Sequence, residues 1–341
     1  MELSKEQSQH IKGIAILMII IHNYVDILLG INSNEMSYSE NATALFLDHL
    51  FTADAIWYIF SFAGWIGVPL FFFLSGFGLT KKYGSGNTLK PRTYITDHVV
   101  KLLKLLVPIF LIYLCFYRTN LKSAIAHLTF TINLLSYGKN GFHMDPGVYW
   151  FFGAILQFYL LFILLRKMKT QWLWVLCGVF VAFHYFILYG VDHETMKWMR
   201  HNFLGWGATF VLGMIAARSR TDFSKRANLL LCVCSFIGLC ASLVIKWLAP
   251  WGEICTIVFL VTTARMATTR WTCFLGVISP SIFALHPLIR QLFYSVFKFA
   301  VDYPYTMTII FVITTILSSW VHHQILNRTN KMLKTASGKD K

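Results

Sequence analysis

Apolar runs of roughly 18 to 25 residues recur from one end of the chain to the other, separated by short polar stretches, and a helix of that length crosses a hydrocarbon core of about 30 Å. Hydropathy places ten spans near 11–29, 55–79, 98–117, 146–165, 171–190, 204–217, 228–248, 252–264, 273–299 and 305–326, of which the sixth and eighth are the shortest. The first run is long for a signal-peptide core and lacks a small-x-small cleavage site, so it is expected to remain a span. The pattern predicts an all-α integral membrane protein: a single domain over residues 1–341, a bundle of about ten transmembrane helices around a polar internal cavity, and a basic cytoplasmic tail at 328–341.

Composition agrees. Of 341 residues 56% are hydrophobic and 13% charged, against roughly 25% charged in a soluble domain. The net charge of +15 would raise the question of nucleic acid in a soluble protein. Here the cations cluster in alternate polar segments: 81–104, 166–169, 218–226, 265–270 and the tail. The segment 31–54 has no Lys or Arg and carries Glu35, Glu40, Asp48 and Asp54. Cytoplasmic loops hold the excess of Lys and Arg, so both termini are expected in the cytoplasm, and the charge is topology and attraction to anionic lipid, with no nucleic-acid partner. The seven cysteines sit in or beside apolar runs, with no CxxC and no metal-ligand spacing, which predicts neither a disulfide framework nor a metal site.

Ionisable groups inside a span are costly, so they mark where chemistry can be sought. In the first span Lys12 and His22 lie ten residues apart, a rise of about 15 Å. Lys12 is expected near the cytoplasmic surface and His22 near mid-membrane. A neutral imidazole there can accept a proton from a hydroxyl, as a general base must; it can equally hydrogen-bond a neighbouring helix for packing.

The run from Lys12-Gly13-Ile14-Ala15-Ile16 to His22 resembles the start of the acyltransferase-3 family of integral membrane acyltransferases, whose first helix carries a basic residue and then a catalytic His. Lys12 stands where many members have Arg, and the interval to His22 is one residue shorter than usual, so that Asn23 occupies the commoner His position; His22 and Asn23 are therefore both catalytic candidates. Gly64-Trp65-Ile66-Gly67-Val68-Pro69-Leu70-Phe71-Phe72-Phe73-Leu74-Ser75-Gly76-Phe77 is similar to the family's second helix. Lys101 and Lys104 before Pro108 look like its basic pair at the start of the third, where two ammonium groups suit the phosphates of coenzyme A or simply anchor the helix at the inner face. Pro146-Gly147-Val148-Tyr149-Trp150-Phe151-Phe152 with Gln157 resembles its fourth, and Ser279-Pro280-Ser281-Ile282-Phe283-Ala284-Leu285-His286-Pro287 a late helix, in which two prolines should bend or break the span.

The resemblance implies transfer of an acyl group, most often acetyl, from an acyl-CoA to a hydroxyl of a cell-surface or lipid-linked carbohydrate, in a bacterial inner or plasma membrane. It implies no tightly bound cofactor. Lys12, Lys101 and Lys104 would hold the donor; Ser75, Tyr149, Trp150, Gln157 and His286 would line the cavity or meet the acceptor. His22 could deprotonate the acceptor for direct attack or be transiently acylated. Two rival readings remain: a multi-span transporter or lipid-glycan flippase, for which the two halves should show a repeat that the sequence lacks, and an assembly subunit with a decayed site.

Overall fold

The computed structural model describes residues 2–29, 38–84, 88–136, 141–219, 223–296 and 303–336. Every regular element among them is helical: α1 (Lys5–Leu29), α2 (Glu40–His49), α3 (Ala55–Ala63), α4 (Gly67–Tyr83), α5 (Pro91–Phe116), α6 (Leu121–Leu128), α7 (Ile132–Leu135), α8 (Trp150–Leu165), α9 (Thr170–Gly190), α10 (His193–Arg200), α11 (Phe203–Arg218), α12 (Lys225–Val244), α13 (Gly252–Met266), α14 (Arg270–Val296) and α15 (Pro304–Ala336). Nine stretches among the described residues are long and apolar enough to cross a membrane. The second joins α3 to α4 through a tight turn at Gly64–Ile66, and the seventh joins the turn Lys246–Trp251 to α13.

The expected sixth span is the exception. It is α11, 16 residues long and about 24 Å in rise, short of a full crossing by length yet almost wholly buried between α4 and α9. A helix surrounded by protein need not match the bilayer's thickness. At the other end of the chain α15 runs on to Ala336, past the span end expected near 326, and residues 337–341 of the expected tail lie outside the described residues.

α1 is the central element, packed against α3, α4, α13, α14 and α15. Its tightest partner is α14. A Cβ on Gly276 would collide with the Gln9 carbonyl, and one on Gly13 with that of Thr272, so the two backbones touch. Further along, the Arg290 guanidinium donates to the Asn23 carbonyl, 267 residues away in sequence. The same offset relates Gln9 to Gly276, so the helices run parallel with a fixed register. The face at which both begin is the near face below, and the opposite one the far face.

α14 was expected to bend or break at its prolines; it does not break, and runs as one helix from Arg270 to Val296. Each proline lacks the N–H that would bond the carbonyl four residues earlier. For Pro280 that carbonyl is Gly276's, which accepts from the Ser279 hydroxyl at 2.9 Å. For Pro287 it is Phe283's, which accepts from the His286 Nδ1 at 2.9 Å. In both cases the side chain just before the proline repairs the helix, as burial in an apolar medium requires.

Candidate functional site

A cavity of about 1140 Å³ lies in the near half of the bundle, walled by α1, α4, α5, α8, α14 and α15. Lys12 of α1, Ser75 of α4, and Lys101 and Lys104 of α5 all line it. Three of the cations the sequence singled out thus face one space from two helices. His98 and Tyr159 add polar groups, and their rings lie 4.3 Å apart. Lys104 also donates to the Asn330 Oδ1 at 3.1 Å, which ties α5 to the near end of α15.

His22 stands further along α1 and is buried. Gly64, at the turn between α3 and α4, has no side chain to keep the two segments apart: a Cβ there would strike the His22 Cβ. This close approach lets the imidazole Nδ1 reach the Ser61 carbonyl at 2.8 Å. A carbonyl only accepts, so Nδ1 carries the proton and Nε2 is the basic nitrogen. One turn on, on the same face, the Asp26 carboxylate accepts from the Ser61 hydroxyl at 3.0 Å and lies within electrostatic reach of His22. Ser61 therefore holds the imidazole with its backbone and the carboxylate with its side chain.

Asn23, the next residue round the helix, points elsewhere. Its amide nitrogen donates to the Ile19 carbonyl at 2.9 Å, and its two oxygens face Arg290 at 3.2 and 3.4 Å. The two catalytic candidates on α1 thus have separate surroundings, and of the two only His22 is an imidazole oriented by a backbone carbonyl.

Two cations approach the His22–Asp26 face from other elements. Arg290 comes from α14, and Arg200 ends α10. Burial pushes the Arg200 guanidinium down to about 10, partly offset by Asp26, so it is charged at neutral pH. Its Nη2 donates to His201 Nε2 at 3.2 Å, and burial together with Arg200 and Lys197 holds His201 well below the usual range and neutral. The carboxylate beside His22 is therefore flanked by buried positive charge.

The remaining expected residues lie outside this lining. Tyr149 is 1% exposed and its hydroxyl donates to the Ala284 carbonyl at 2.7 Å. Trp150 stacks on His201 and Trp206. Gln157 donates to Asn202 Oδ1 and accepts from the Phe203 N–H, both at 2.9 Å, fixing the start of α11 rather than lining the cavity. His286 repairs α14 through Nδ1, as above, while its buried Nε2 has no hydrogen-bond partner among the described residues. Among the described residues no group of three His, Cys, Asp or Glu side chains could hold a metal ion.

Asp26, Ser61, Arg200 and Arg290 escaped the sequence reading. Asp26 had a signal, an acid inside the first span four residues after His22; Ser61 and Arg200 reach the site only through the folds of α3 and α10. In comparison with known proteins, a family model described as an acyltransferase domain matches residues 7–323. Comparisons with curated proteins and with solved structures give no match.

Proposed function

The chain belongs to the acyltransferase-3 family, and from that premise we propose that it transfers an acyl group, acetyl foremost, from acyl-CoA to a hydroxyl of a cell-surface or lipid-linked carbohydrate. The near face, with both termini, is assigned to the cytoplasm, where acyl-CoA is made. The membrane is a bacterial inner or plasma membrane. Lys12, Lys101 and Lys104 bind the phosphates of coenzyme A at the cavity, with the thioester arm directed toward His22.

Transfer is direct. His22 Nε2 takes the proton of the acceptor hydroxyl as its oxygen attacks the thioester carbon. Collapse of the tetrahedral intermediate breaks the C–S bond, and the departing sulfur receives the proton from Nε2. An O–H and a C–S bond are exchanged for a C–O and an S–H bond, with no change of oxidation state. Asp26 stabilises the imidazolium that exists between the two proton transfers, and the Ser61 carbonyl holds the ring in its orientation.

The observation that carries this reading is the convergence of the three lysines on one large cavity below a histidine whose basic nitrogen is fixed. Purified protein in lipid nanodiscs, given acetyl-CoA and a panel of glycans, should release free thiol and yield acylated glycan. His22→Ala should lower turnover at least 100-fold, within the range of general-base catalysis, while folding is kept. Full activity in that variant would remove His22 from the base's role; no thioester chemistry with any acceptor would favour transport instead.

A further inference from the structure

α15 is longer than a membrane crossing requires. Its 33 residues rise about 50 Å, against a hydrocarbon core of roughly 30 Å, and it continues at its near end past the span end expected near 326. The family match stops at residue 323, so residues 324–336, about 20 Å of rise, lie outside it.

This extension is exposed over most of its surface, but one edge of it is engaged. Leu326 is half-buried, and Asn330, one turn on along the same face, lines the donor cavity with it. There the Lys104 Nζ donates to the Asn330 Oδ1 at 3.1 Å. An ammonium only donates, so the carboxamide turns its oxygen to Lys104, and its NH2 group, with two donors of its own, belongs to the same cavity-lining residue. The cavity lining carries three lysines against one carboxylate, Asp97, and the exposed Arg328 and Lys331 add positive charge to the extension. An ammonium and an amide NH2 side by side suit an anion with several acceptor oxygens, which a phosphate is.

We propose that the near extension of α15 is part of the donor site: Asn330 holds Lys104 in place through its oxygen and, when coenzyme A is bound, donates from its amide nitrogen to a phosphate oxygen beside that lysine. This rests on the donor assignment made above, and adds to it a helical segment that the family match does not contain.

The test measures equilibrium binding of CoA, and of pantetheine as the phosphate-free arm of the same molecule, to full-length protein in nanodiscs. Unaltered protein should bind CoA at least about 10-fold more tightly than pantetheine. Asn330→Ala should weaken CoA binding several-fold. Asn330→Asp keeps an oxygen for Lys104 but sets a carboxylate against the phosphate, so it should weaken CoA binding at least about 10-fold, an effect that shrinks in high salt. Pantetheine should bind both variants within about 2-fold of its original affinity, which also reports an intact fold. Because Asn330 works with Lys104, the loss in the Lys104→Gln/Asn330→Ala double variant should fall short of the product of the two single losses. CoA affinity unchanged in both Asn330 variants would overturn the proposal, as would a loss shared equally by pantetheine, which would make the extension a support of the fold alone. Unaltered protein that binds CoA no more tightly than pantetheine would instead overturn the assignment of the lysines to the donor phosphates, and this proposal with it.

Discussion

Ser61 decides what His22 can do, and it does so through its backbone. Because a carbonyl fixes the imidazole tautomer, no substitution at position 61 removes that bond, but the charge of Asp26 can be removed alone. Asp26→Asn keeps an oxygen for the Ser61 hydroxyl and loses the anion beside the imidazolium. The expected outcome is a 10- to 100-fold lower kcat with KM for the donor unchanged, since the charge matters after the proton has moved. Steady-state thiol release at saturating donor measures it. Undiminished kcat would show that Arg200 and Arg290 neutralise the carboxylate so fully that His22 does not sense it.

At the scale of elements, the far half is covered by the short helices α6, α7 and α10, and two of their ties can be tested. Gln157 joins α8 to the start of α11 through two hydrogen bonds, so Gln157→Leu should leave the Phe203 N–H unpaired and destabilise the fold by about 1–3 kcal/mol. A fall in the thermal midpoint is the measurement, with acyl transfer retained in the folded fraction. His127 of α6 packs against the rings of Phe110 and Tyr149, and burial pushes its imidazole down to about 4. A group held below its ordinary value of 6.5 stabilises the fold fully above that pH. The contribution drains away as pH falls from 6.5 to about 4, in all about 3 kcal/mol. Melting between pH 7.5 and 4.5 should therefore show an acid branch that His127→Gln flattens.

These elements also show what a sequence can and cannot disclose. Lys12 and His22 share one helix, and Lys101 and Lys104 share another, so spacing alone revealed that each pair lies in register. That Lys12 shares one cavity with Lys101 and Lys104, or that His22 meets Ser61, depends on how α1, α3 and α5 pack, which hydropathy does not encode. The prolines of α14 do not break it, for a related reason. A proline announces a lost hydrogen bond, but whether Ser279 and His286 restore it is a matter of side-chain direction. α11 is short because protein, not lipid, surrounds it.

For the whole molecule, the division of labour between near and far halves predicts two classes of variant. Lys12→Gln, Lys101→Gln and Lys104→Gln should each weaken acetyl-CoA binding several-fold, about 1 kcal/mol per partly exposed contact, and reduce its sensitivity to salt. kcat should change little, the reverse of the His22 and Asp26 variants. If the lysines only orient the chain in the membrane, donor affinity will be the same in all three. Cysteines introduced at Ser39 and Lys5 should separate in the same way, the first labelled by impermeant reagents in intact cells and the second shielded.

The parallel pairing of α1 with α14 sets a schedule for making this protein. The two helices touch backbone to backbone, yet 267 residues separate the partners, which at roughly 5 to 20 residues per second is about 13 to 53 s of translation. Throughout that interval α1 is in the membrane with its glycine-bearing groove open and its histidine and carboxylate without their last neighbours. Ribosome-arrested chains that stop before Arg270 should leave α1 crosslinkable to lipid or to insertion machinery and should be rapidly degraded when released. Chains extended past Val296 should lose those crosslinks and become long-lived. The cavity, which has α14 as one of its walls, is thus closed among the last events of biogenesis, so that a nascent chain has no complete donor site while the membrane around it is still being threaded.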